Sequence, residues 1–248
     1  MELDFILKKP IAHRGLHDEN NPENSIPAFH AAIACGFPIE MDIRLSKDGK
    51  IVVFHDDTLS RMTGANLSVI DCSFEDLSVL RLTGSQERIP LFSDFLKEID
   101  GKVPLLIEFK NMPSVNTKDF IRLAAEELKD YRGEYAVQSF QPFYMRAFKE
   151  LRPDIPVGIL ATEESTKADF NNSPIWRIKA RAVRNMSFNN SVKPDFISYH
   201  FKGYPNKATE KFTGNKLAWT VRSPEDEAYA RQYADNIIFE NYLPKIHE

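Results

Sequence analysis

The sequence predicts an α/β protein: a TIM-like (β/α)8 barrel with a short insertion after the second strand. Three observations predict it. The chain has 248 residues, close to the roughly 250 that one such barrel requires. Short β-branched or apolar runs alternate with longer amphipathic stretches, the rhythm of repeated βα units and a parallel sheet. The apolar runs number eight, the strand count that closes the barrel.

In chain order, the candidate strands cover residues 10–13, 39–44, 103–109, 135–139, 157–160, 195–199, 217–221 and 236–240. Helix start signals lie between several of them. Asn24 and Ser25 precede an apolar stretch at 26–34 that Gly36 stops; Ser73 precedes 74–80; Ser223, Pro224 and Glu225 precede 226–234. Lys47, Asp48, Gly49 and Lys50 form a turn signal, so residues 51–55 are expected to return antiparallel beside the second strand and bring His55 back toward its end. Residues 56–90 break the βα rhythm. Too short for a second domain, they read as a small loop or helix insertion, or a lid, within one domain spanning 1–248. Few residues follow position 240 to form a closing eighth helix.

Hydrophobic residues at 42% and charged residues at 27% allow a core that needs no disulfide or metal staple. A formal net charge of -4 and a pI near 5.9 argue against a nucleic-acid partner, which requires a basic surface. Cys35 and Cys72 are too few for a disulfide framework, and the opening Met1, Glu2, Leu3, Asp4 lacks a signal-peptide layout, so the reducing cytoplasm is the expected location. No apolar run reaches the roughly 18 residues of a membrane helix, so no integral membrane association is expected. A homo-oligomer is left open.

Alternation along 39–44 places Glu40 and Asp42 on one face and Ile39, Met41 and Ile43 on the other. Two carboxylates that close resist joint ionisation unless a cation lies between them; the alternative is a solvated strand face. Glu108, near the end of another apolar strand, can complete an all-oxygen set of the kind that suits Mg2+ or Ca2+ and not Zn2+. Alternatively, Glu108 and Lys110 neutralise one another. His13 and Arg14 end the first strand, and barrel strands present their carboxyl ends to the active site. An imidazole and a guanidinium there are placed for proton transfer and phosphate contact. His55 offers a second imidazole. Cleaving a phosphodiester takes one group to deprotonate the attacking oxygen and another to protonate the leaving alkoxide. Two histidines flanking a metal-bound phosphate meet that need, although either one alone is more often a structural hydrogen-bonder, and it is their joint placement with three acids that favours the catalytic reading. His200 has no motif behind it and reads as structural.

Ile11-Ala12-His13-Arg14-Gly15, Pro22-Glu23-Asn24-Ser25, Glu40-Met41-Asp42-Ile43 and Val52-Val53-Phe54-His55-Asp56 with Thr58-Leu59 together resemble the signature of the glycerophosphodiester phosphodiesterase family. The resemblance continues through Ile89-Pro90-Leu91, Leu106-Ile107-Glu108-Phe109-Lys110, Gln138-Ser139-Phe140 and Ala218-Trp219-Thr220-Val221, nearly the whole chain. It implies that Glu40, Asp42 and Glu108 hold a divalent cation, Mg2+ or Ca2+. It implies that His13 and His55 are the acid and base pair, that Arg14 and Lys110 contact the phosphate, and that Trp219 lines the glycerol side, where a core aromatic is the competing reading. Glu23 and Asn24 match a motif expected to support the site from a helix start. The implied reaction is hydrolysis of a small-molecule glycerophosphodiester to glycerol 3-phosphate and an alcohol. Attack by water and attack by the neighbouring glycerol hydroxyl both fit.

One segment departs from the family. Where a Thr-Asp-x-Pro ending is usual, this chain reads Ile238-Phe239-Glu240-Asn241-Tyr242-Leu243-Pro244, with Glu240 in place of the aspartate. Three rivals remain. A lysophospholipase D-like activity requires an apolar mouth, for which 56–90 offers Leu59, Met62, Leu67, Val69 and Ile70. A Schiff-base lyase would use Lys110. A catalytically inactive phosphate-ester-binding barrel would need no paired acid and base.

Overall fold

The computed structural model describes residues 3–167, 170 and 172–245. The strands are β1 (Ile11–Ala12), β2 (Ile39–Leu45), β3 (Ile51–Val53), β4 (Leu105–Phe109), β5 (Tyr135–Ser139), β6 (Val157–Ala161), β7 (Phe196–His200), β8 (Asn215–Val221) and β9 (Asn236–Phe239). Eight of them run parallel in the order β1-β2-β4-β5-β6-β7-β8-β9. Pairing of β1 with both β2 and β9 closes the ring. The expected barrel is therefore present, with β3 as an extra antiparallel strand.

The position of β3 follows from the brevity of β1. β1 meets β2 only at Ile39, whereas β3 pairs with Ile43, Arg44 and Leu45. β4 holds the other edge of β2 from Ile39 to Ile43. β1 stops early because Arg14 and Gly15 turn through positive φ, 56° and 81°, a backbone that glycine adopts readily and other residues do not. A Cβ on Gly15 would also lie 2.8 Å from the Phe29 ring and 2.9 Å from the Ala28 backbone. The upper edge of β2 is left open for β3, and the hairpin delivers His55 to the barrel rim.

Alternation sorts the side chains. Ile39, Met41, Ile43, Leu105, Ile107 and Phe109 face outward into the main core with helix residues such as Phe29, Phe95 and Phe120. Ile11, Leu106, Ala136, Phe196, Leu217 and Ile238 converge inside the barrel. That floor is sealed from below by the short helix Asp4–Leu7, whose Ile6 is fully buried. Asn236 pins it by donating to the carbonyls of Ile6 and Lys9 at 2.8 and 2.6 Å. Gly158 leaves room for the same layer, since a Cβ there would sit 2.2 Å from the Phe196 ring.

Helix starts follow the expected chemistry. Ser25 caps Ile26–Ala34, Ser73 and Asp76 form a capping box on Phe74–Ser78, and Ser223 caps Pro224–Ala230. The last two helices end two and four residues earlier than the apolar pattern predicts, and most strand ends shift by one or two residues. Within 56–90, loops alternate with the short helices Ser60–Thr63 and Phe74–Ser78. Leu59, Val69, Cys72, Leu77, Leu82 and Ile89 pack with Val52 and Phe54 into a separate small core, and the bridges Thr58 to Ser68 and Arg81 to Arg88 tie the segment together. Among the described residues no helix is long and apolar enough to cross a membrane, and none follows β9.

Candidate active site

Along most strands the inward side chains change from apolar at the floor to polar or amphipathic at the carboxyl end. Leu106 gives way to Glu108 and Lys110, Ala136 to Gln138, Phe196 to Ser198 and His200, Leu217 to Trp219, and Ile238 to Glu240. β2 is polar on this face throughout, with Glu40, Asp42 and Arg44 all buried. The register sets Asp42 beside Glu108 and Glu108 beside Gln138. One oxygen each from Glu40, Asp42 and Glu108 lies within 4.8 Å of the others.

The cations and amides around these acids are specific. Lys110 Nζ is 2.7 Å from Glu108 Oε1 and 3.4 Å from Asp42 Oδ1. Arg14 donates its backbone N–H to Glu40 Oε2 at 3.2 Å, holds Nε 3.3 Å from Asp42 Oδ2, and donates from Nη1 to Glu23 at 2.8 Å. Asn24, at φ 56° and buried, donates to Asp42 Oδ2 at 2.8 Å and accepts from the Asp42 backbone N–H at 3.3 Å. The strained Asn24 backbone is thus held by a two-way clamp on Asp42.

The three acids do not ionise alike. Burial opposes charge on Asp42, but Lys110, His55 and Arg14 outweigh it and hold this carboxyl far below the usual range. Burial together with the neighbouring Asp42 and Glu108 raises Glu40 well above that range. Glu108 is raised by burial in spite of Lys110. Lys110 stays charged because Glu108 and Asp42 overcome its own desolvation. Asp42 Oδ1 is buried and accepts no hydrogen bond. An all-carboxylate set in which two members resist ionisation and a third keeps an open oxygen fits a hard divalent cation.

Each candidate histidine has a carboxylate at Nδ1. His13 Nδ1 contacts Glu240 Oε2, while its Nε2 lies 3.9 Å from Glu40 Oε2. His55 Nδ1 contacts Asp56 Oδ1 at 2.6 Å. A carboxylate there holds the proton on Nδ1 and leaves Nε2 as the basic nitrogen. Burial lowers His13, helped by Arg14 and opposed by Glu240. Burial and the Lys110 charge take His55 down to about 4.

The supporting carboxylates are themselves gripped. Glu240 accepts from Arg222 Nε at 2.7 Å, and His17 Nε2 is 3.6 Å away; His13, His17 and Arg222 keep it ionised against burial. Arg61, on the 56–90 insertion, donates to Asp56 at 2.6 and 3.0 Å and to Glu23 at 2.8 and 2.7 Å. A continuous chain of charge therefore links His55 to Arg14 through Asp56, Arg61 and Glu23. His17, Arg61 and Arg222 belong to no sequence motif, and only the closed barrel and the folded insertion bring them in.

Across the barrel, Trp219 packs edge-on to Phe140 and His200 with ring centres 5.6 and 5.3 Å apart. Its Nε1 donates to the Ser198 carbonyl at 3.0 Å, and Ser198 donates to Gln138 at 2.6 Å. This anchors an aromatic wall to the strand next to Glu108. His200, expected to be structural, is buried against this wall, and its Nδ1 has no hydrogen-bond partner.

The sequence pattern of the glycerophosphoryl diester phosphodiesterase family matches residues 13–242. A Bacillus subtilis protein provisionally named a glycerophosphodiester phosphodiesterase is 33% identical over 88% of this chain and 88% of its own. A glycerophosphodiester phosphodiesterase of Caldanaerobacter subterraneus is 34% identical over 60% of this chain and 65% of its own. In three dimensions, an Oleispira antarctica phosphodiesterase solved with the product sn-glycerol-3-phosphate superposes with a TM-score of 0.78, at 23% identity, over 97% of this chain and 95% of its own.

Proposed function

The chain belongs to the glycerophosphoryl diester phosphodiesterase family, and from that membership we propose that it hydrolyses glycerophosphodiesters to glycerol 3-phosphate and an alcohol, by metal-assisted acid and base catalysis within one domain. The observation that carries this reading is the convergence of Glu40, Asp42 and Glu108 within 4.8 Å beside two imidazoles, each oriented by its own carboxylate.

Glu40, Asp42 and Glu108 would hold the cation, for which Mg2+ and Ca2+ are the candidates. When bound, such a cation supplies Lewis-acid charge to the phosphate oxygens and a template for the substrate. Arg14 and Lys110 offset the remaining phosphate charge. His13 and His55 exchange protons at Nε2: one removes the proton of the attacking oxygen, and the other, once protonated, delivers its proton to the departing alkoxide. The depressed pKa of His55, about 4, supports its standing neutral and basic at neutral pH. Phe140 and Trp219 form an apolar surface suited to the carbon face of the glycerol unit.

Of the five apolar residues that the insertion offers a lysophospholipase D-like activity, Leu59 and Val69 are buried in the insertion's own core, whereas Leu67 is 54% exposed. The test is incubation with glycerophosphocholine, with and without EDTA, for the wild type and for His13→Ala and His55→Ala, reading both products. Release of glycerol 3-phosphate and choline that stops with chelator and falls in both variants is expected. Release that survives chelation or both substitutions overturns the reading.

A further inference from the structure

Outside the site, the most unusual surface is the β6–β7 connection. Residues 170–194 contain no Asp or Glu but carry Arg177, Lys179, Arg181, Arg184 and Lys193, in a chain of net charge -4. The helix Trp176–Arg184 within it buries no residue fully. It is held at one end by Val183, which packs on the core, and by the Tyr199 hydroxyl, which donates to the Arg184 carbonyl at 3.0 Å. Its outer side combines charge with apolar bulk. Ile175 is 52% exposed and Ile178 68%, and the three-residue spacing stacks them on one face. Arg177, Arg181 and Arg184 follow at helical spacing beside them, with the Arg177 guanidinium 5.3 Å from the Trp176 ring centre.

A second exposed apolar pair joins this connection to the helix Pro142–Leu151. Phe188 is 42% exposed and meets Phe143, 57% exposed, with ring centres 5.5 Å apart. Phe143 lies near the carboxyl end of β5, three residues after Phe140 of the aromatic wall. This aromatic pair therefore lies toward the same end of the barrel as the acids and histidines.

We propose that this connection docks the protein on an anionic lipid bilayer. Cations interleaved with exposed Ile and Phe beside the half-buried Trp176 match a membrane interface, where head groups meet the charges and apolar side chains enter the acyl boundary. A nucleic acid would use the cations but gain nothing from Ile175 and Ile178. Docking would hold the barrel mouth near a lipid surface, where diesters derived from phospholipids are found, and it is independent of the chemistry at the mouth.

Co-sedimentation with phosphatidylcholine vesicles, with and without phosphatidylglycerol, tests this. The wild type is expected to partition onto the phosphatidylglycerol vesicles only, and less so as salt rises. Each Lys or Arg near an anionic surface is worth about five-fold in partition, so Lys179→Glu with Arg181→Glu should weaken binding by at least ~25-fold. Ile178→Glu should also weaken it. Both variants should keep the wild-type circular dichroism spectrum and wild-type hydrolysis of soluble glycerophosphocholine, which separates docking from folding and from catalysis. Equal binding of wild type and the double variant, or failure of the wild type to bind the anionic vesicles, overturns the proposal, and binding to heparin in their place points to a nucleic-acid-like polyanion.

Discussion

The imidazole of His13, just past the first barrel strand, is bound through Nδ1 to the carboxylate of Glu240, just past the last strand and 227 positions away. The contact spans the seam where β1 and β9 pair. It fixes which nitrogen of His13 faces Glu40. Glu240→Gln keeps the shape and removes the charge. It should lower kcat by about 10- to 100-fold, the usual effect of losing a partner that orients a ligand or catalytic imidazole, with KM little changed. Steady-state kinetics on glycerophosphocholine measures it, and an unchanged kcat would remove Glu240 from the account.

His13 and His55 act in one proton transfer sequence. His13→Ala and His55→Ala should each lower kcat by about 10²- to 10⁴-fold. Groups that act as a unit are not additive, so the double variant should be close to the worse single one. Independent losses that multiply would show that the two rings do not serve the same step.

The acids make stability depend on pH and cation together. The folded pKa values of Glu40 and Glu108 lie above their ordinary 4.5, so without cation these two cost stability as pH rises above 4.5 and their protons are forced off. His55 has the opposite sign: lowered to about 4 from 6.5, it makes stability fall as pH drops from 6.5 toward 4. Asp42, held low, contributes stability above 3.8 that is lost only on stronger acidification. The stabilising effect of added Mg2+ or Ca2+ isolates the carboxylates. The gain in Tm should grow from pH 4.5 toward neutrality, because the ligands must lose protons to bind, and Glu40→Gln should flatten that growth. A gain independent of pH would contradict the ionisation pattern.

Gly158 and Phe196 are matched in the barrel floor. A methyl at Gly158 meets the Phe196 ring at 2.2 Å, so Gly158→Ala should destabilise by about 1–3 kcal/mol, as overpacking does. Adding Phe196→Leu should recover part of the loss, since adjacent substitutions couple. Urea denaturation of the single and double variants measures both effects.

Much of this was legible in the sequence because strand alternation is local. Period two alone puts Glu40 with Asp42, and the strand at 135–139 and the helix at 26–34 coincide with Tyr135–Ser139 and Ile26–Ala34. Capping serines also act within one turn. What local pattern cannot carry is contact across the ring. Residues from the first strand, the insertion and the last two strands meet only after closure, which is why Arg61 and Arg222 have no motif, and why the Glu240 substitution reads in sequence only as a departure. The packing of the insertion is hidden from local pattern for a related reason. Leu59 and Val69 read as candidates for an apolar mouth until 56–90 folds back on Val52 and Phe54.

In the proposed site Glu40, Asp42 and Glu108 grip one divalent cation between His13 and His55. Calorimetric titration of the chelator-treated protein with Mg2+ and with Ca2+ tests it most directly. One cation per chain is expected for the wild type and for His55→Ala, and none for Asp42→Asn. Equal binding by Asp42→Asn, or no binding of either cation by the wild type, would contradict it.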